Sequence, residues 1–563
     1  MPMFIRIKTT PKSPRKSVQI CESVRRGDSI RQILVRHVGV ANDEQHLIEL
    51  QKLAEHVKRQ IEEERYGPSL FPLPTPEDTP LQPSLAESVT DAKKEKSAQE
   101  SAEQKQMVDL TNLFEQRRVV EGFHDIFGQL FRELGFNQIL PKKQSEVLRD
   151  VLLARIATPT SKHRAQEILA ADFGRDIPLD RIYRMLDALL LKKDVVQQQV
   201  FFATQSLFAE QVNIVFFDVT TLYFESTEED ELRTFGYSKD QKFHMTQVVL
   251  ALATNMAGLP VGYRLFPGNT AEVKTLLACL DEWKKILPIG EVFLVADRAM
   301  MSEANLAALE DAQIKYVIAA KLRKMSPSIR KQILEKKGEA LLFEEELVTK
   351  REFILDNQRR LVVTHSPKRE KKDRLDRERI VEKIQKRIGK SKNVKQLISN
   401  RGYSKFLKSE GEAELVLNTD KIGEEALWDG LHGIITNDTA SKSEELLARY
   451  RRLWVIEESF RIQKHHLAVR PIYHFKPERI EAHILLCYMA FTLVRHSAYR
   501  IELQQKKLSI QDVRSELWRT QASILRDKDT GKIYRLPSKM SPEARAIYQA
   551  FGVPRCFGVR ELA

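Results

Sequence analysis

The chain has 563 residues, 42% of them apolar and 30% charged, with a formal net charge of +13. One hydrophobic core does not serve that length, so several domains are expected, and the composition is that of a soluble globular protein. The positive excess favours a polyanionic partner, nucleic acid before membrane. Four cysteines (Cys21, Cys279, Cys487, Cys556) stand far apart with no CxxC pair. That argues against a zinc site or a disulfide framework and suits a reducing cytoplasm. No run resembling a signal peptide opens the sequence. The most apolar stretch, IEAHILLCYMAFTLV (480–494), is too short and too polar-flanked to span a bilayer and reads as a core helix.

In chain order, FIRIKT, SVQICESV and RQILVRHV alternate as short strands, the last two joined by an RRGD turn. A charged helix from about Asp43 to Arg65 completes a first module, residues 1–65, that is a candidate for binding DNA ends. Residues 66–107 carry six prolines and a Ser/Glu/Lys/Gln tract, the composition of a disordered linker. From 108 to 208 the pattern is helical. GFHDIFGQLFRELGF and SEVLRDVLLARIA repeat apolar residues at spacings of three and four. HRAQEILAADFGRDIPLDRIYRMLDALLLKK reads as two helices around a Gly-containing turn. It is either a DNA-reading helix-turn-helix or an ordinary helical hairpin.

Residues 209–322 change character. NIVFFD, TQVVLALAT and PVGYRLF read as strands, the last two joined by NMAGL. AEVKTLLACLDEWKKI reads as a helix, EVFLVAD as a strand, SEANLAALEDA as a helix and KYVIAA as a strand. That is the order of a ribonuclease-H-like sheet. Asp218 and Asp297 both close an apolar strand, at the rim where open α/β sheets bind ligands. Residues 323–440 form a β-rich, basic insertion: strands at LLFEEELV, REFILD and RRLVVTHS, a basic helical stretch, then AELVLNTD and GIITND. Between residues 359 and 408 there are 18 Lys+Arg and five Asp+Glu, an excess of 13 that equals the whole chain's. This is either a solvated face or a DNA-backbone contact. Residues 441–500 return to the core, and 501–563 read as a C-terminal helical region, a candidate for dimerisation.

RRLWVIEESFRIQKHHLAVRPIYH (451–474) has helical periodicity. On one helix, Tyr450, Glu457 and Lys464, seven apart, share a face, and Arg461 joins it four residues after Glu457. An acid, two bases and a tyrosine on one stripe suit a metal-bound carboxylate beside phosphates better than a hydrophobic core. Glu458 points elsewhere and is the alternative acid if the helix is rotated. Two Asp and one Glu are what a pair of Mg²⁺ ions about 3.5–4 Å apart would need to activate an attacking oxygen and stabilise a leaving one. Singly each has a plainer reading: Asp218 as a turn cap with Thr220 or Thr221, Asp297 as an ion pair with Arg298, Glu457 as a helix-surface acid.

FFDVTTLYFES, GYSKD (236–240), LFPGNTAE (265–272), VFLVADRAM, LWVIEESFRIQKHHLAVRPIYH and RIEAHI (479–484) together resemble the DDE-type transposases of bacterial insertion sequences. The likeness is to the family-four superfamily, in the subgroup with a β-rich insertion before the Glu, and covers about residues 110–500. The superfamily's signature runs Tyr, two residues, Arg, three residues, Glu, six residues, Lys. Tyr450, Glu457 and Lys464 match it, while Leu453 stands at the Arg position, leaving that role to Arg452 or Arg461 or unfilled. The resemblance implies an α/β chain with a ribonuclease-H-like catalytic core interrupted by a β-rich insertion, an N-terminal β/α module and a helical DNA-binding domain. It implies Asp218, Asp297 and Glu457 as the catalytic, metal-binding triad, with Tyr450, Arg452, Arg461 and Lys464 on DNA. It also implies two Mg²⁺ ions, replaceable by Mn²⁺, and cleavage at terminal inverted repeats followed by attack of the 3′-OH on target DNA. A homodimer on DNA and a cytoplasmic, nucleoid-associated location follow from it. A two-metal nuclease without strand transfer and a non-catalytic DNA-binding regulator are the rival readings.

Overall fold

The computed structural model describes residues 3–9, 16–26, 29–41, most of 44–58, 110–208, 214–236, 244–287, 293–343, 346–355, 358–388, 406–410, 414–504, 508–555 and 558–562. The expected linker at 66–107 and residues 237–240 of GYSKD lie outside the described residues. The chain divides into two compact units, residues 1–183 with 497–563, and residues 184–496.

In the first unit, Met3–Thr9, Lys16–Arg26 and Ser29–Ala41 form an antiparallel sheet in chain order. Between 44 and 58 the described residues are helical, and Leu47, Leu50, Ala54 and Val57 are buried at helical spacing. Helices Gly122–Glu133, Lys142–Ala157 and Lys162–Ala171 follow. Two stretches read from sequence as helical also carry strands. Leu113–Val120 pairs with Gln521–Asp527, and Ile533–Pro537 and Arg560–Leu562 extend that sheet beside helices Ile510–Arg519 and Pro542–Phe551. LFEQRRVV lacks a clean alternation, and most of it is exposed. Pairing with a segment some four hundred residues away makes it a strand, and no local signal carries that. The buried Glu133 is held between Arg36 and Arg500, the latter at 2.6 Å. Burial alone would raise its carboxyl, but the two guanidinium groups win and bring it down to about 2.

In the second unit, α1 (Lys193–Phe208) leads to β1 (Ile214–Tyr223), β2 (Gln247–Thr254), β3 (Pro260–Pro267), α2 (Glu272–Ile286), β4 (Phe293–Ala296), α3 (Glu303–Asp311) and β5 (Lys315–Ala319). The strands lie in the order β3-β2-β1-β4-β5. β1, β4 and β5 are parallel, and β2 runs antiparallel to its neighbours. The β2–β3 turn is the expected NMAGL: the Asn255 side chain accepts from the N–H groups of Ala257 and Leu259, and Gly258 takes φ +74°. Along β1, Val215, Phe217 and Val219 face a core shared with Leu276, Leu280 and Trp283 of α2 and with Leu306 and Leu309 of α3. Period two then sends Phe216, Asp218, Thr220 and Leu222 to the opposite face.

After β5 the chain continues through α4 (Pro327–Glu335), β6 (Glu339–Phe343), β7 (Glu346–Ile354), β8 (Arg360–His365), α5 (Pro367–Ile388), a hairpin of Leu407–Glu410 and Glu414–Leu417, and α6 (Thr419–Ala426), and returns as β9 (Leu431–Thr436). Inserted strands β6 to β9 extend the core sheet, giving β6-β7-β8-β9-β5-β4-β1-β2-β3, while the hairpin is a separate two-stranded sheet. Then come α7 (Ser443–Arg451), α8 (Trp454–Arg461) and α9 (Pro477–Leu503). Within this unit α7 packs on β4 and β5, and α8 packs on β1 and β2. Arg360 fastens α7 to the insertion, donating to the carbonyls of Asp438 and Ser441 at 2.9 and 2.8 Å and to Ser443 Oγ at 3.1 Å. No helix among the described residues is long and apolar enough to cross a membrane.

Candidate active site

Asp218 does not end its strand, contrary to the expectation from VFFD. β1 runs on to Tyr223 because β2 continues the antiparallel ladder, from Asp218 opposite Leu252 to Tyr223 opposite Gln247. What ends there is the parallel pairing with β4, whose last pair is Phe217 and Ala296. Asp218 and Asp297 are the next residues on each side. They occupy matching positions on adjacent strands, whose spacing is about 4.8 Å. Asp218 accepts the Val219 N–H at 2.7 Å, and Thr220 and Thr221 lie within the strand, where there is no turn to cap. Asp297 follows β4 directly and opens the one-turn 3₁₀ helix Arg298–Met300.

The segment carrying Tyr450, Glu457 and Lys464 is not the single helix its periodicity suggests. α7 stops at Arg451, and i→i+3 bonds through Leu453, Val455 and Ile456 tighten the chain before α8. Leu453, at the signature's Arg position, is buried at this joint. After Arg461 a π-helical turn, Ile462–His466, carries Lys464. The spacing of seven therefore runs through three differently wound pieces.

Glu457 is exposed on α8, the helix that packs on β1 and β2. Glu458 is engaged elsewhere. Arg495 reaches it at 3.3 Å while donating to the carbonyls of Ala257 and Gly258, and Arg461 reaches it at 3.5 Å. Arg461 is thus set against Glu458, and Arg452 is exposed at the end of α7.

A cleft of about 1040 Å³ opens beside Asp297 and is lined by Arg298, Lys321, Arg369, His432 and Tyr450 among others. Arg452, Arg461 and Lys464 do not line it. Tyr450 rests on His432 with ring centroids 5.1 Å apart. Burial, then the Asp297 carboxylate, push the Tyr450 phenol above its ordinary value against the charges of Arg369 and Arg298, with a smaller push from Glu457. His432 is pushed down to about 4 by burial and by the charge of Arg369. Among the described residues no three His, Cys, Asp or Glu side chains are gathered closely enough to hold a metal ion. His432, Lys321, Arg298 and Arg369 were not found from sequence, since each lies on a different element. Only Arg298 stands beside a residue the pattern singled out.

The glycines of the two short motifs meet at the far end of β1's partner. A Cβ on Gly268, in LFPGNTAE, would lie 2.1 Å from the Gln247 carbonyl oxygen and 2.4 Å from that of Thr234. One on Gly236, in GYSKD, would lie 2.1 Å from the Gly268 oxygen. Only glycine permits this backbone approach. The Asn269 N–H completes the clasp by donating to Thr234 Oγ1 at 2.8 Å.

No curated protein matches the sequence. One solved structure to which the chain is similar is the cryo-EM structure of the piggyBac transposase synaptic complex with hairpin DNA. It is 9% identical, with a TM-score of 0.35, over 71% of this chain and 77% of that one. The family model of the transposase DDE domain matches residues 211–493, half of the chain, with both aspartates, the insertion, and the α7 and α8 helices inside it. The chain belongs to the transposase DDE-domain family.

Proposed function

We propose that this chain is a metal-dependent transposase that cleaves DNA at terminal inverted repeats and transfers the freed 3′-OH into target DNA, with Asp218, Asp297 and Glu457 as its catalytic carboxylates. The observation that carries this is the register of β1 against β4. It sets two carboxylates at matching positions on the face away from the α2 and α3 core, with the helix bearing Glu457 against the same strand. The strand order β3-β2-β1-β4-β5 supports a ribonuclease-H-like reading of the core. Engagement of Glu458 by Arg495 supports Glu457 as the third acid.

Three carboxylates fit Mg²⁺ or Mn²⁺ by donor chemistry, being hard oxygen ligands, and Asp218, Asp297 and Glu457 would hold the ions. Bound there, two such ions activate an attacking oxygen and stabilise a leaving one. Tyr450 serves as a positioner of the DNA strand rather than a nucleophile: burial and two acids keep its phenol protonated. Lys464 on the π-helical turn, with Arg452 at the end of α7 and Arg461 at the end of α8, contacts phosphates. The DNA complex is a homodimer, since two ends are joined in one reaction.

The test is incubation of the purified chain and Mg²⁺ with a labelled duplex ending in the inverted repeats that flank its gene, beside Asp218→Asn. End-specific nicks and joined products, absent in the variant, are expected. Nicks without joining would make it a nuclease. Specific binding without cleavage in either metal would make it a DNA-binding regulator.

A further inference from the structure

The cleft beside Asp297 is charged in two different ways along its length. At the end formed with α5 and α6 its cations are already matched: Arg377 is paired with Asp429, and Arg323 with Glu425 at 2.7 Å. At the Asp297 end the balance reverses. Arg298, Lys321 and Lys324 line it, and among the described residues none of the three has a carboxylate within ion-pair distance. Lys321 is aimed by its own bond to the Met301 carbonyl at 2.8 Å. Arg369 is held only loosely, 3.7 Å from Asp373 one turn along α5, with both side chains part-exposed. His432 lies against Tyr450, and neither ring nitrogen has a hydrogen-bond partner among the described residues.

Two groups, Lys321 just after β5 and His432 on β9, register the same excess of cations. Burial, then Lys324 and Arg298, pull the Lys321 ammonium below its ordinary value. Burial, then Arg369, does the same to the His432 imidazole, in both cases against the opposing pull of the Asp297 carboxylate. Like charges crowded in a partly buried cleft cost free energy unless an anion joins them. An adjoining stretch fully paired within the protein has no such need, so the demand is local to Asp297.

We propose that Arg298, Lys321, Arg369 and His432 form a phosphate-binding subsite beside Asp297 that takes one DNA phosphodiester, with His432 as a hydrogen-bond donor seated on Tyr450. The subsite rests on the reading of Asp297 as a residue of the reacting site. The phosphate belongs either to the strand being cleaved or to target DNA, and the chemistry that binds it is the same.

The test separates binding from catalysis. The full chain in EDTA is titrated with the labelled inverted-repeat duplex over a range of NaCl, so no metal and no turnover are needed. Lys321→Ala and Arg369→Ala are each expected to raise Kd severalfold and to lower the slope of log Kd against log salt by about one, the loss of one phosphate contact. Arg323→Ala, already paired with Glu425, should leave the slope unchanged. His432→Phe keeps the ring against Tyr450 and should raise Kd without changing the slope. Slopes equal to the parent's in Lys321→Ala and Arg369→Ala, with unaltered melting temperatures, would overturn the subsite. Arg369 is half exposed on α5, so that variant tests binding without threatening the fold. Among supporting outcomes, slower nicking of the uncut duplex assigns the phosphate to the element's end. Slower joining of a pre-cleaved end, with nicking unaffected, assigns it to target DNA. Continued nicking by Asp218→Asn would sink the catalytic reading and leave the subsite standing on its salt slopes.

Discussion

Two adjacent glutamates on α8 carry opposite expectations. Glu457→Gln should reduce Mg²⁺-dependent nicking by more than about 100-fold, since even the outer partners of a metal ligand cost 10–100-fold when removed. Its melting temperature should stay near the parent's, because the side chain is exposed. Glu458→Gln should do the reverse: it strips Arg495 of its carboxylate, lowers stability by about 1–3 kcal/mol, and leaves nicking by the folded protein largely intact. Parallel nicking assays and melting curves decide between them, and an inactive but stable Glu458→Gln would reverse the assignment. In the other unit, Glu133 titrates at about 2 instead of 4.5, so folding is stabilised above pH 4.5 and that contribution is lost as pH falls toward 2. Glu133→Gln should cost about 3–5 kcal/mol at neutral pH by leaving Arg36 and Arg500 without their counter-charge. Its stability should also fall less between pH 4.5 and 2 than the parent's, as urea titrations at each pH would show.

At the scale of elements, the mismatch in length between β1 and β4 brings the aspartates together. β4 has four residues and β1 has ten, so the parallel pairing ends while β1 continues on β2. Asp218 therefore sits on rigid ladder and not on a loose strand end, and it needs no turn to hold it. The glycine clasp supports the same strand pair. Gly268→Ala would push a methyl group into two carbonyl oxygens, and the backbone has to move. The expected result is a drop in melting temperature and a loss of nicking that stabilising osmolytes partly restore. A variant as stable as the parent would mean that the loop gives way at little cost. Most strands and helices of this unit were legible as local apolar patterns of period two or near 3.6. The break between α7 and α8 was not, because Leu453 continues the apolar periodicity while its burial bends the chain.

For the molecule as a whole, the charge of +13 predicts a DNA affinity that falls steeply with salt, and α5 carries part of that excess. Lys371 and Lys372 are exposed on that helix, outside the cleft lining. Replacing both with Ala should lower the salt slope by about two if α5 lies along a DNA backbone, and by nothing if it is only a solvated face. Filter binding at four salt concentrations separates the two.

The sequence by itself determined most of the strands and helices in the second unit, the positive excess, and the two aspartates following apolar runs. These depend on neighbours within a few residues, where side-chain pattern and backbone geometry are directly coupled. The tertiary structure decided what depends on segments far apart in the chain. It made a strand of Leu113–Val120 through Gln521–Asp527, merged four of the insertion's strands into the core sheet, and set Glu458 against Arg495. It also gathered Arg298, Lys321, Arg369 and His432 around Asp297 from four elements. Pairing and charge matching act through space, and a pattern read along one chain has no register for them.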